Sequence, residues 1–94
     1  MSVLETRPAQ SQGILTQELS GTLVLLRPQD GQYYTLDEVG GRVWSLCTGD
    51  RTVAELIALI CAEYEAPQSG IEADVIELLS ELTDERLVVS HRSG

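Results

Sequence analysis

The sequence contains no lysine and no phenylalanine, and it has only two cysteines and one histidine in 94 residues. With His91 alone and near the end of the chain, a zinc site or a histidine-activated nucleophile is not expected. Cys47 and Cys61 stand at apolar positions of predicted helices, with no further Cys or His at metal-ligand spacing, so they read as small buried hydrophobes. No apolar run approaches the roughly 18 residues that span a bilayer. The opening Met-Ser-Val-Leu-Glu-Thr-Arg also lacks the basic-then-apolar order of a signal peptide, so a cytoplasmic protein with no membrane partner is expected. Basic residues are scarce too: six arginines face 15 acidic residues, for a net charge of −9. That balance repels nucleic-acid phosphates and anionic lipid surfaces and favours neutral or basic partners, although it also serves simple solubility.

What is present suits one domain. A chain of this length with 43% hydrophobic content buries about 65% of the surface its unfolded form exposes. Residues 1–13, rich in Gln, Ser, Pro and Thr without apolar periodicity, predict a flexible N-terminal arm. Ile14 to Leu19 and Thr22 to Arg27 predict two strands joined by the tight turn Ser20-Gly21. Pro28-Gln29-Asp30-Gly31 predicts a second turn, and Gln32 to Leu36 a third strand that completes an antiparallel meander.

The hydrophobic period then changes. Val39, Val43, Leu46 and Cys47 recur at helical spacing behind Asp37, a suitable N-cap. Thr52-x-x-Glu55 is a capping-box pattern that opens a second helix through Val53, Leu56, Ile57, Ile60 and Tyr64, stopped by Pro67. Ser69-x-x-Glu72 repeats the pattern before a third helix with Ile71, Val75, Leu78, Leu79 and Leu82 on its apolar stripe. Leu87 to Ser90 predicts either a final strand or a segment packed on that helix, with the domain spanning residues 14–90 and a tail over 91–94. The expected class is α+β: a three-stranded antiparallel sheet followed by three helices, in outline a winged helix-turn-helix with its sheet first.

That outline raises DNA binding as one reading, but the third helix carries no Arg, Lys, Asn or Gln from Ile71 to Glu85 with which to read base edges. Neither a nucleophile beside a base nor a paired carboxylate site is evident from spacing, so the chain does not read as an enzyme. Glu72, Asp74, Glu77, Glu81, Asp84 and Glu85 lie mainly off the apolar stripe, as a solvated acidic face would. The third strand is more informative. It ends the meander, so it should lie at a sheet edge, and Gln32-Tyr33-Tyr34-Thr35-Leu36 has neither the Lys nor the Pro that usually blunts an edge. Such a strand is either short enough to be harmless or available to accept another.

The order of residues from Gly31 to Val88 resembles the PqqD-like family. Its pattern G-x-x-Y-x-L-N-x-x-G, an aliphatic-Trp pair, a Gly-closed turn, T-V-x-E-aliphatic and a final D-V-x-x-aliphatic-L-x-x-L helix reads here as Gly31, Tyr34, Leu36, Asp37 and Gly40, then Val43-Trp44, Gly49, Thr52-Val53-x-Glu55-Leu56, and Asp74-Val75 leading to Leu78-Leu79-x-x-Leu82. Asp37 stands for the usual Asn, and Asp84-Glu85-Arg86-Leu87 lacks the Gly common before the last apolar pair. The resemblance implies a domain that binds the leader segment of a ribosomally made precursor peptide between the third strand and the third helix, the leader joining the sheet. The length and the Tyr33-Tyr34 pair look like the leader-binding component of split lasso-peptide systems. Partners would then be a cysteine-protease-like leader peptidase and a macrolactam-forming cyclase, with no cofactor. The alternative within the family is pyrroloquinoline quinone biosynthesis, with a radical enzyme as partner.

On this resemblance the expected binding residues are Gln32, Tyr33, Tyr34, Thr35 and Leu36 of the strand and Ile71, Asp74, Val75, Ile76 and Leu79 of the helix. Alternation directs Tyr34 and Leu36 to the core and frees Tyr33 for a ligand. Leu78, Leu82 and Trp44 are expected in the core. Asp74, Glu77 and Glu81 would flank the groove and attract a basic leader.

Overall fold

The computed structural model describes residues 3–92, and it divides the strands between two sheets. After a single 3-10 turn (Val3–Glu5), β1 (Thr6–Gln10) leads to the meander β2 (Leu15–Leu19), β3 (Thr22–Arg27) and β4 (Gln32–Leu36). Three helices follow, α1 (Glu38–Leu46), α2 (Val53–Tyr64) and α3 (Gln68–Asp84), before β5 (Val88–Arg92).

The meander forms from local signals. Ser20 and Gly21 both take positive φ, 51° and 83°, as a two-residue turn matched to strand twist requires. Gly31, at φ 72°, closes the second turn by donating its N–H to the Arg27 carbonyl at 3.0 Å. The sheet order is β2-β3-β4, with Leu25 opposite Tyr34 and Leu23 opposite Leu36. The third strand of the sequence pattern is therefore β4, and it lies at an edge.

One face of this sheet covers α1 and α3, burying Leu25 and Leu36. With Val43, Trp44, Leu46, Val53, Leu56, Ile57, Ile60, Val75, Leu79, Leu82, Leu87 and Val88 they make one continuous core. The Asp37 carboxylate caps α1 by accepting from the Gly40 N–H at 2.7 Å. The capping box of α2 forms in both directions: Glu55 N–H donates to the Thr52 hydroxyl at 3.2 Å, and Thr52 N–H donates to the Glu55 carboxylate at 2.8 Å.

The second capping box does not form. Pro67 is the N-cap of α3, and no side chain caps that end. Pro67 has φ −61° and extended ψ, so helical geometry begins at Gln68. Ser69 is thereby already inside the first turn, where it cannot act as the cap.

The flexible arm expected over residues 1–13 is also corrected. Thr6–Gln10 pairs antiparallel with β5, in the register Pro8 to Ser90 and Gln10 to Val88. Pro8 is fully buried, and β1 is tied on its other side to the turn after α1, where Gln10 N–H donates to the Cys47 carbonyl and Gly49 N–H to the Pro8 carbonyl. Proline is tolerated there because its carbonyl is used and no N–H is needed. The expected tail is divided: His91 and Arg92 complete the backbone of β5, and residues 93–94 lie outside the described part.

Arg86 takes φ 61° to turn the chain from α3 into β5. Its N–H donates to the Thr83 carbonyl at 3.0 Å, and the Leu87 N–H to the Leu82 carbonyl at 2.8 Å. A non-glycine residue holds the left-handed position here because the two bonds close the helix end around it.

Candidate functional site

A groove of about 500 Å³ runs between β4 and α3, floored by α1. Its walls are Tyr34, Thr35 and Leu36 on the strand side and Ile71, Asp74, Val75, Leu78 and Glu81 on α3, with Asp37, Val39, Gly40 and Val43 beneath. Each element supplies what its period allows. β4 turns Tyr34 and Leu36 inward and Tyr33 outward, and α3 presents Ile71, Val75 and Leu78 at intervals of four and three. At Gly40 α1 passes close to the strand, since a Cβ there would lie 3.3 Å from the Leu36 Cβ and 3.2 Å from the Asp37 carboxylate. In the order β2-β3-β4 no strand among the described residues pairs with the outer side of β4, so its outward N–H and C=O groups border this apolar trough.

Toward the far end of β4 the groove is bridged. The Tyr34 hydroxyl donates to the Glu81 carboxylate at 2.9 Å, linking strand to helix. That carboxylate raises the Tyr34 pKa above its ordinary value, chiefly by holding the phenolic proton, with burial and the nearby charges acting in the same direction. Arg27 binds Asp30 at 2.8 Å and donates to the Glu85 carbonyl, so the β3 end of the sheet is fastened to the end of α3. The groove walls are thus set by cross-element bonds as well as by packing.

Six of the ten expected site residues line this groove: Tyr34, Thr35, Leu36, Ile71, Asp74 and Val75. Four do not. Gln32 lies beyond the bridged end, beside Arg27 and Glu85, and Tyr33 is 70% exposed on the outer face of the sheet. Ile76 and Leu79 point to the opposite side of α3, toward Val3, Thr6, Val53 and Ser90. Leu78, expected in the core, is instead half-buried on the groove wall, while Leu79 is a core residue. The stripe Val75, Leu78, Leu79, Leu82 is wider than one contact surface, and its period does not say which margin meets β4. Val39 and Val43 were legible only as part of an α1 stripe, and Gly40 only through the family resemblance; the signal that they floor a groove is that α1 passes under β4. Glu81 lines the groove as expected, and Glu77 is exposed outside its lining.

Other reactive groups lie elsewhere. Burial pushes the Cys47 thiol up to about 12, which keeps it protonated at neutral pH, and its Sγ donates to the Val43 carbonyl. Cys61 is half-buried, and both cysteines are free. Among the described residues no cluster of His, Cys, Asp and Glu could hold a metal ion, and no helix is long and apolar enough to cross a membrane.

An α+β unit with a strand edge unpaired among the described residues, alongside an apolar helix face, has the construction of a small peptide-binding domain. Comparison with known proteins gives that class a family. Residues 22–88 match the family model described as coenzyme PQQ synthesis protein D (PqqD), and the chain belongs to this family. A PqqA binding protein of Xanthomonas oryzae pv. oryzae is 34% identical over 86 residues, covering 89% of this chain and 91% of that protein. Among solved structures, TbiB1 in complex with the TbiA(beta) leader peptide superposes with a TM-score of 0.74 at 32% identity, over 85% of this chain and 93% of that one. The solution structure of the PqqD truncation of Methylobacterium extorquens PqqCD, a stand-alone RiPP recognition element, gives 0.76 at 26% identity, over 94% and 93%.

Proposed function

We propose that this chain is a non-catalytic recognition element that binds the leader segment of a ribosomally synthesised precursor peptide, the leader adding as a strand to β4 and placing apolar side chains in the groove against α3. The observation that carries this reading is the open β4 edge running beside the trough walled by Leu36, Ile71, Val75 and Leu78. Four or five backbone hydrogen bonds at about 0.5 to 1.5 kcal/mol each roughly offset the ordering of a flexible peptide at about 1 to 2 kcal/mol per residue. Two or three apolar anchors at about 1.5 to 3 kcal/mol each supply the affinity, so the groove matters as much as the edge.

The bound precursor is presented to a modifying enzyme. The 32% identical relative in complex with a leader peptide supports leader capture. A place in lasso-peptide biosynthesis, with a cysteine-protease-like leader peptidase as first partner and a macrolactam-forming cyclase as second, is the reading the sequence resemblance favours. The 34% identical PqqA binding protein supports the other reading, binding of a PqqA-type precursor, for which a radical enzyme would be the partner. A winged-helix DNA regulator is disfavoured because every charged residue of α3 is acidic.

Titration of the isotopically labelled protein with the TbiA(beta) leader peptide and, separately, with PqqA tests this by NMR. Backbone signals of Thr35 and Leu36 and side-chain signals of Val75 and Leu78 should shift together for at least one peptide. Shifts confined to β2, or none up to about 1 mM peptide, where even weak recognition registers, would overturn strand addition at β4.

A further inference from the structure

Every charged side chain that lines the groove is an acid. Asp74 and Glu81 stand on α3 and Asp37 faces them from the start of α1, with no arginine among the lining residues. The rest of α3 reinforces their field, since its remaining charges are Glu72, Glu77 and Asp84. Four arginines are engaged elsewhere, Arg27 with Asp30, Arg42 with Glu63, and Arg7 and Arg51 with the carbonyls of Asp50 and Leu46, and Arg86 lies outside the lining, beside Arg27 and Pro28. Between the two α3 carboxylates lie Val75 and Leu78, the apolar part of the wall.

From this we infer that the groove selects a peptide whose apolar anchor is bracketed by two basic side chains, an inference that rests on peptide capture at this groove. Spacing defines the bracket. Asp74 and Glu81 are seven positions apart, two turns or roughly 10.5 Å along the helix axis, which an extended peptide covers in about three residues. Alternate side chains of a strand share a face, so the occupant carries Lys or Arg four positions apart with an apolar residue midway, the anchor facing Val75 and Leu78 and the long cationic side chains reaching Asp74 and Glu81. Glu81 already accepts from Tyr34 through Oε2, and a carboxylate has lone pairs enough to accept a second, charged donor. An acidic residue at either bracketing position meets like charge beside a surface that excludes water, so the same rim rejects acidic segments.

Display selection of random twelve-residue peptides against the immobilised full chain, at about 50 mM salt where surface charge is least screened, reads this out directly. The expected winners hold an apolar residue between two basic ones, bind Asp74→Asn/Glu81→Gln at least tenfold more weakly, and lose affinity as salt is raised. Winners that need Leu78 but show no basic bracket, or that bind the double variant equally well, overturn the charge inference and leave the groove reading standing. If no selected peptide is sensitive to Leu78→Ala in protein whose circular dichroism is unchanged, peptide capture at this groove fails, and the inference fails with it.

Discussion

Adjacent leucines on α3 separate the groove from the core. Leu78 is half-buried with its side chain in the trough, whereas Leu79 is 5% exposed and packs beneath the helix toward Val53. Truncating each should therefore have different consequences. Leu79→Ala leaves a cavity in a close-packed interior and should cost about 2 to 5 kcal/mol of stability. Leu78→Ala removes groove wall already partly in water, so it should cost markedly less in a urea melt while weakening capture of a groove-binding peptide at least tenfold by fluorescence polarisation. Equal losses of stability for the two variants would contradict this division of the helix surface. Tyr33 has the same lesson at strand scale. Alternation correctly turned it away from the core, yet being free of the core did not bring it to the groove, because the outward side of β4 is the outer sheet face.

At the scale of elements, the Tyr34 hydroxyl on the Glu81 carboxylate links β4 directly to α3. Its pH dependence has a definite sign. The folded pKa of Tyr34 lies above its ordinary value of 10.0, so the folded state holds the phenolic proton more tightly than the unfolded chain does. The stability this bond contributes is present in full below pH 10.0 and is lost as pH rises through the folded pKa. Tyr34→Phe should thus be slightly less stable than the parent at neutral pH, by under about 1 kcal/mol for a bond this exposed, and the difference should shrink above pH 10.0. Urea melts of both proteins along a pH series measure it; a gap that widens with pH would reverse the assignment of the proton.

The elements best read from the sequence are those whose causes are local. Ser20-Gly21, Gly31, Asp37 and the Thr52–Glu55 box each act within a few residues of themselves, and β3 and β4 fall at the residues expected. Ser69-x-x-Glu72 misled because an identical motif carries no information about a proline two residues upstream. β1 was illegible for a different reason. Its partner is some eighty positions away, Pro8 argues locally against a strand, and the apolar alternation that marks the meander is missing from Thr-Arg-Pro-Ala-Gln. The groove was half legible: strand alternation chose Tyr34 and Leu36, but the rotation of α3 about its axis is fixed by packing against α1 and α2, which no periodicity records.

Over the whole molecule, the two ends of the described chain close the fold as one antiparallel ribbon. Pro8 and Val88 are buried, Gln10 donates through its side chain to the Trp44 carbonyl at 2.8 Å, and Ser11 N–H donates to the Leu87 carbonyl at 2.9 Å. The ribbon thus covers the side of the core away from the groove, β1 against α2 and β5 against α3. A chain lacking residues 1–11 loses these bonds, exposes Val88 and leaves the Cys47 carbonyl and the Gly49 N–H without their β1 partners. Burial of two apolar side chains together with several backbone bonds predicts a loss of at least about 2 kcal/mol, and with a domain of this size a fall in melting temperature of about 8 °C or more. A mobile arm, by contrast, could be removed without effect. Thermal unfolding of the truncated chain beside the full one distinguishes the two, and coincident melting curves would return residues 6–10 to the status of a tail. Because the groove lies on the other side of the core, peptide affinity measured well below the lowered melting temperature should survive the truncation, which separates the ribbon's role in stability from the role of β4 and α3 in recognition.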